Sequence, residues 1–185
     1  DNSNSKGVVT SRGEDNSDAI VVCLGPYSSH IVKPLGLTLD ICPVKGYSVT
    51  VPINAEHKPF DIAGVDETGL MAYARIGDRA RFTSSAEFGG YDTSYKPKNL
   101  KRIIEKAKKL FPNAADYSQP NGWACLRPVT PTGSPYLGHC RYKNLFLNTG
   151  HGHLGWTMAC GSARITADLI NNRSPDIDIS GYVMT

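Results

Sequence analysis

Three patterns of apolar and polar positions follow one another along this chain. The first is an unbroken apolar run, Asp18-Ala-Ile-Val-Val-Cys-Leu-Gly25. A run of that length without alternation predicts a strand buried on both faces, as in a parallel sheet. The second begins at Val44, where Tyr47, Val49, Val51 and Ile53 alternate with smaller or polar residues. That period of two predicts a half-buried antiparallel strand. Leu70–Ile76 and Arg79–Ser85 flank Gly77-Asp78 and predict a hairpin across a two-residue loop. Phe60–Val65 is a further strand candidate, and Gly7–Ser11 is a strand end followed by a polar turn over Arg12–Ser17.

The third pattern is helical. Leu100, Ile103, Ile104, Ala107, Leu110 and Phe111 recur at helical spacing between Pro97 and Pro112, so a helix spans 97–111. Its other face carries Lys98, Lys101, Arg102, Lys106, Lys108 and Lys109. Such a face is either simply solvated or adheres weakly to an anionic membrane surface. Pro26–Lys33 predicts a short helix, and Pro34–Pro43 an extended connector. Pro128, Pro131 and Pro135 mark extended loop and short strand.

Near the carboxyl end, Leu145–Leu147 predicts a short strand, followed by a glycine-rich turn and a helix of small residues to about Asn171. Gly150, Gly152 and Gly155 satisfy G-x-G-x-x-G. Such a turn lets backbone N–H groups approach an electron-rich ligand, and the helix behind it presents its positive end. Position argues against a pyrophosphate site. That motif opens a βαβ unit, with an acid about 20 residues on at the end of a second strand. Here the helix gives way to Asn171-Asn-Arg-Ser-Pro175 and a polar tail. Two readings stay open: a helix N-terminus that seals a cofactor site built mainly elsewhere, or tight strand–helix packing without a ligand.

Buried strands at both ends thus bracket an antiparallel middle with a helix. The expected architecture is α/β, with residues 1–42 and 126–185 forming one domain and an α+β lobe, 43–125, inserted between them. A length of 185 residues suits one domain or two small lobes. The net charge of +3 is too weak to argue for nucleic acid. No apolar run reaches the roughly 18 residues needed to span a bilayer. Asp1–Lys6 lacks the apolar core of a signal peptide and an initiator Met, the expectation for a fragment or processed chain. Cys23, Cys42, Cys125, Cys140 and Cys160 are odd in number, scattered and without C-x-x-C, which predicts buried, reduced thiols in a cytosolic protein.

Two further stretches carry candidate chemistry. Arg127 follows apolar Ala124, Cys125 and Leu126, so it sits at the edge of a core and needs a partner. That partner is an internal Asp or Glu, or a substrate carboxylate. His151 and His153 form H-x-H, but His30, His57 and His139 lie in unrelated stretches, so no metal is expected.

Val21-Val-Cys-Leu-Gly-Pro-Tyr-Ser28, Pro43-Val-Lys-Gly-Tyr-Ser48, Leu126-Arg-Pro-Val-Thr-Pro-Thr-Gly-Ser-Pro135 and the stretch from Asn144 to Ser162 together resemble the flavin-dependent D-amino acid dehydrogenase and oxidase superfamily. The likeness covers nearly all of the chain but only the carboxyl-terminal half or so of the family's length. In the family the pyrophosphate-binding G-x-G-x-x-G and its ribose-binding acid lie near the amino terminus, and neither is found here. The resemblance implies FAD as cofactor, shared between 1–42 and 126–185, and a substrate lobe over 43–125. It implies that Gly25 and the turn Gly150, His151, Gly152, His153, Leu154, Gly155, Trp156 and Thr157 face the flavin. Arg127 would bind the substrate carboxylate, and Tyr47 would line the same pocket, although an alternating strand equally places Tyr47 in a core or on a sheet face. Relatives with a second arginine after the turn have no counterpart in His153 and Leu154. The implied reaction passes a hydride from Cα of a D-amino acid to flavin N5, with the imino acid hydrolysed to a 2-oxo acid and ammonia. The implied acceptor is a quinone or an electron-transfer partner, at a cytoplasmic location or peripheral on the inner face of the membrane. Two alternatives are an isolated fragment without cofactor or activity, and a related oxidase of glycine or secondary amines.

Overall fold

The computed structural model describes residues 4–182. The reading of Asp1–Lys6 therefore lies partly outside the described residues. The chain divides into two units, one built from the residues up to Cys42 and from Arg127 onward, the other from Pro43–Leu126.

The first unit opens with β1 (Gly7–Thr10) and β2 (Gly13–Asn16), an antiparallel hairpin that pairs Val8 with Asp15 and Val9 with Glu14. The polar stretch after residue 11 was expected to be a turn. Only its first positions turn, and the rest forms β2, because ladder hydrogen bonds compensate for side chains of low strand propensity. β3 (Ile20–Val22) follows, then a 3-10 turn over Gly25–Tyr27 and α1 (Ser28–Val32). Leu37, Leu39 and Ile41 of the connector are buried.

The second unit begins with β4 (Cys42–Pro52), β5 (Gly64–Asp66), β6 (Met71–Ile76) and β7 (Arg79–Phe88). Then come α2 (Pro97–Leu110) and β8 (Asn121–Val129). The five strands form one sheet in the order β5-β6-β7-β4-β8. The β6–β7 hairpin turns at Gly77, whose φ of 59° suits the first position of a two-residue loop. α2 starts at Pro97, with the Lys96 N–H donating to the Asn99 side chain. It buries Ile103 and Ala107 against Tyr47, Val49, Val51, Met71 and Phe82. Phe60 was expected in a strand but lies outside one. Its ring packs on Tyr73 and Phe111, with centroids 5.0 and 4.7 Å away. Burial of an aromatic ring outweighs the local strand preference there.

A bulge interrupts the β4–β7 ladder. Lys45 pairs with Glu87 and Tyr47 with Ser84, so Ser85 and Ala86 together oppose Gly46. Ser85 takes up the extra length at a φ of 77°.

The chain then returns to the first unit through β9 (Tyr136–His139), β10 (Leu145–Thr149) and α3 (Gly155–Ile170). The sheet order is β3-β10-β9. β10 is central, parallel to β3 with Leu145 beside Ile20 and Leu147 beside Val22, and antiparallel to β9. Val22, Val32, Leu37, Leu39, Leu145 and Leu147 form its core. Late in α3, buried Asp168 accepts from Arg164 and Arg173, both at 2.9 Å, and these two guanidinium groups hold its carboxyl below the usual range. No strand or helix follows α3 among the described residues.

The α/β architecture with an antiparallel sheet is therefore as expected. The cysteines are not. All five are free, but Cys23, Cys42, Cys125 and Cys160 are exposed and only Cys140 is partly covered. The apolar character of cysteine sets an average tendency, and strand or helix phase decides each position. No helix among the described residues is long and apolar enough to cross a membrane.

Candidate functional site

β3 and β10 run parallel, so their carboxyl ends lie side by side, and each leads into a glycine of positive φ. Gly25 has φ 55°, Gly150 81° and Gly152 59°. Adjacent strand ends with glycine turns are where open α/β sheets place ligands. Buried hydroxyls join the two ends: Ser28 Oγ and Thr149 Oγ1 lie 2.8 Å apart, and Thr149 also donates to the Gly25 carbonyl at 3.1 Å.

Pro128, near the end of β8, meets the same place. Its carbonyl accepts from the Gly152 N–H at 2.9 Å. A Cβ at Gly25 would stand 3.8 Å from its ring. Gly150 is required twice over, because a Cβ there would fall 2.8 Å from Thr130 Cγ2 as well as demanding the left-handed region. Arg127, one residue before Pro128, is half-buried. Strand alternation sets it with Trp123 and Cys125, opposite Ala124, which packs in the core with α2.

The turn then feeds α3. The Leu154 N–H bonds to His151 O at 3.0 Å and the Met158 N–H to Leu154 O at 2.9 Å. His151 Nε2 lies 2.9 Å from Ser162 Oγ, and burial pulls the imidazole below its ordinary pKa, which favours the neutral ring. No side chain caps the helix, since Leu154 occupies the N-cap position. Gly152 has nothing within 4 Å of a would-be Cβ, and Gly155 meets only His151 Cβ at 3.5 Å. His153, Leu154 and Thr157 are exposed, and Trp156 is 96% exposed. The result is an uncapped, positively polarised helix end beside backbone that a ligand can approach closely. These residues fit the electron-rich edge of a flavin ring. Among the described residues no strand follows α3, whereas a pyrophosphate loop opens a βαβ unit.

Within the second unit, Tyr47 lies on the α2 face of the sheet and is only 3% exposed. Its phenol donates to Glu87 Oε2. Burial, then that bond, raises the phenol's pKa. Lys45, also buried, reaches Glu87 Oε1 at 3.3 Å, Asp92 Oδ2 at 3.2 Å and the Ser94 carbonyl at 3.1 Å. Burial alone would lower the Lys45 ammonium, but Asp92 and Glu87 more than reverse it. Glu87 is held low by Tyr47 and Lys45.

Sequence reasoning picked out the glycine turn, but not Ser28, Thr149, Pro128 or Ser162, whose roles depend on partners remote in the chain. No group of three metal-ligating side chains gathers among the described residues.

Against known proteins, residues 1–169 match the family model for FAD dependent oxidoreductases, DAO. The chain is 47% identical over 178 residues to D-amino acid dehydrogenase 2 of Mesorhizobium japonicum, covering 96% of this chain and 43% of that protein. It is 47% identical over 173 residues to the D-amino acid dehydrogenase of Agrobacterium fabrum, covering 94% and 41% respectively. It thus spans less than half the length of these curated relatives. Among solved structures, it is similar to glycine oxidase from Geobacillus kaustophilus, with a TM-score of 0.86, 25% identity and coverage of 99% and 50%. L-proline dehydrogenase from P. horikoshii, at a TM-score of 0.81 and 17% identity, covering 99% and 50%, shares the fold.

Proposed function

The chain belongs to the FAD dependent oxidoreductase family DAO, and on that premise we propose that it is part of an enzyme that oxidatively deaminates D-amino acids. The overall change is loss of two electrons and two protons across the Cα–N bond, then hydrolysis of the imino acid to a 2-oxo acid and ammonia. FAD, when bound, supplies the two-electron acceptor. One observation carries the reading: the glycine turn at the end of β10 opens directly onto the uncapped N-terminus of α3.

The residues of this chain then take the following parts. The N–H groups at the start of α3 offset negative charge on the electron-rich edge of the ring system. Gly152 keeps that approach free of a side chain. Neutral His151, held by Ser162, fixes the turn without adding a competing charge. The Arg127 guanidinium pairs with the substrate carboxylate, which orients Cα.

A second reading, oxidation of glycine or a secondary amine, is favoured by the similarity to glycine oxidase. The identity to the two dehydrogenases is much higher and favours the first. The test is turnover of D-alanine, glycine and sarcosine by the complete gene product, together with its flavin absorbance. Preference for D-alanine is expected. Preference for glycine or sarcosine selects the second reading, and a folded complete protein without flavin overturns both.

A further inference from the structure

Away from its buried stripe, α2 carries its charges in two neighbouring rows with a spacing of four residues. One row is Lys101, Glu105 and Lys109, and Glu105 pairs with Lys101 at 3.8 Å. The other is Lys98, Arg102 and Lys106, three cations with no acid among them. Like charges at that spacing oppose helix formation, and this row has no counter-charge of its own. Lys106 Nζ donates to the Gly69 carbonyl at 2.6 Å, but neither Lys98 nor Arg102 makes a hydrogen bond or ion pair among the described residues.

Two depressions border the unbalanced row. One, of about 480 Å³, is lined by Lys98, Asn99, Lys101, Arg102 and Glu105. The other, of about 360 Å³, lies between α2, the β7 bulge and the turn before β6. Asn99 and Arg102 line both, so the two meet along the row. The acids that line them are already paired, Glu105 with Lys101, and Glu87 with Tyr47 and with buried Lys45 at 3.3 Å. The unbalanced charge is therefore that of Lys98, Arg102 and Lys106. Beside Lys106, Leu70 is 74% exposed at a φ of 50°, and Ser84 Oγ holds its carbonyl at 2.8 Å. An exposed leucine kept in a costly conformation is a ready apolar contact.

The surroundings select a narrow line of negative charge over a broad one. Leu100, Ile103, Ile104 and Ala107 pack into the core, so α2 has no apolar face to insert into lipid. Asp66 and Glu67 stand in the turn that Lys106 grips, with Asp66 against Gly69. A flat anionic surface laid on the row would meet these acids, whereas a slender segment along the row avoids them. Single-stranded nucleic acid is slender too, but its binders offer aromatic platforms for the bases. The only aromatic ring among the residues lining either depression is that of buried Tyr47.

We propose that the Lys98–Arg102–Lys106 row docks an acidic helix of a partner protein, one whose carboxylates recur every four residues and whose apolar neighbour meets Leu70. Such carboxylates rise by about 6 Å along their helix, which is the rise between successive cations of the row. Arg102, at the centre, receives a carboxylate in bidentate fashion, and the two lysines hold those on either side. The contact supplies the counter-charge that Glu105 gives the neighbouring row. It does not depend on the cofactor or substrate reading.

The test is binding of labelled probes to the complete gene product, read by fluorescence anisotropy, with vesicles read by co-sedimentation. The probes are a stapled helical peptide with glutamates at i, i+4 and i+8, an isomer with the same glutamates spread around the helix, an oligothymidylate, and vesicles containing about 30% phosphatidylserine. Saturable, salt-sensitive binding of the first peptide is expected, about fivefold tighter than that of the isomer. Arg102→Gln is expected to weaken it about fivefold, and Lys98→Gln to act in the same direction. Lys109→Gln removes the same charge from the balanced row and is expected to change it less than about twofold. Equal losses in R102Q and K109Q, equal affinity for the isomer, or tighter binding of the vesicles or the oligonucleotide through Arg102 overturns the proposal. Turnover enters none of these readouts, so failure here and failure of the functional assay are separable.

Discussion

Ser28 and Thr149 stand 121 positions apart in the chain and share a buried hydrogen bond of 2.8 Å. Thr149 spends its only hydroxyl proton on the Gly25 carbonyl, so Ser28 is the donor between them. The pair therefore has a direction, and it ties the loop after β3 to the end of β10.

Thr149→Val keeps the shape of the side chain and removes both bonds. The Gly25 carbonyl retains the backbone N–H of Ser28, so the uncompensated group is the Ser28 hydroxyl. The expected loss of stability is about 1–3 kcal/mol. Urea denaturation reads it as a lower midpoint at constant slope. A wild-type midpoint would show that the bond contributes nothing.

Gly150 and Gly152 separate two costs of a side chain. Both have positive φ, but only Gly150 is crowded, by Thr130 Cγ2 at 2.8 Å. Gly152→Ala is expected to cost about 1–2 kcal/mol, the conformational penalty alone. Gly150→Ala should cost clearly more, and adding Thr130→Ser, which deletes the crowding methyl, should recover part of the difference. Thermal melts of the four proteins decide it. Equal losses in the two alanine variants would refute the steric argument.

Asp92 gives the molecule a specific acid sensitivity. The backbone N–H and hydroxyl of Ser94, then the Lys45 ammonium, hold its carboxyl at about 2. The unfolded value is about 3.9. Between these values the unfolded chain binds a proton that the folded chain does not. The contribution is therefore complete above about pH 4 and lost as pH falls toward about 2. Asp92→Asn should flatten that part of the stability profile. Urea midpoints taken from about pH 5 downward test this, and an unaltered slope in the variant would count against the assignment.

α2 was legible because its signals are local: apolar spacing, Pro97 at the start and Pro112 beyond the end. So was the β6–β7 turn at Gly77. The glycine turn before α3 was legible for the same reason, since positive φ is a demand glycine meets within a few residues of chain. β2 and Phe60 were not legible, because a neighbouring strand and an aromatic cluster overrode the preferences of the residues themselves. The exposed thiols of Cys125 and Cys160 were misjudged because residue type does not report which face of a strand or helix a position occupies.

From the order of its residues alone, then, this protein had its helices, its hairpin and the glycine-to-helix junction, all governed by interactions spanning a few positions. Three further features arose only on folding. These are the joining of Ser28 to Thr149, the docking of Gly152 on Pro128, and the Tyr47–Glu87–Lys45 cluster beside the β7 bulge. Each depends on strands from distant stretches coming into register, and a side chain's partner across a sheet is set by that register rather than by its neighbours in the chain.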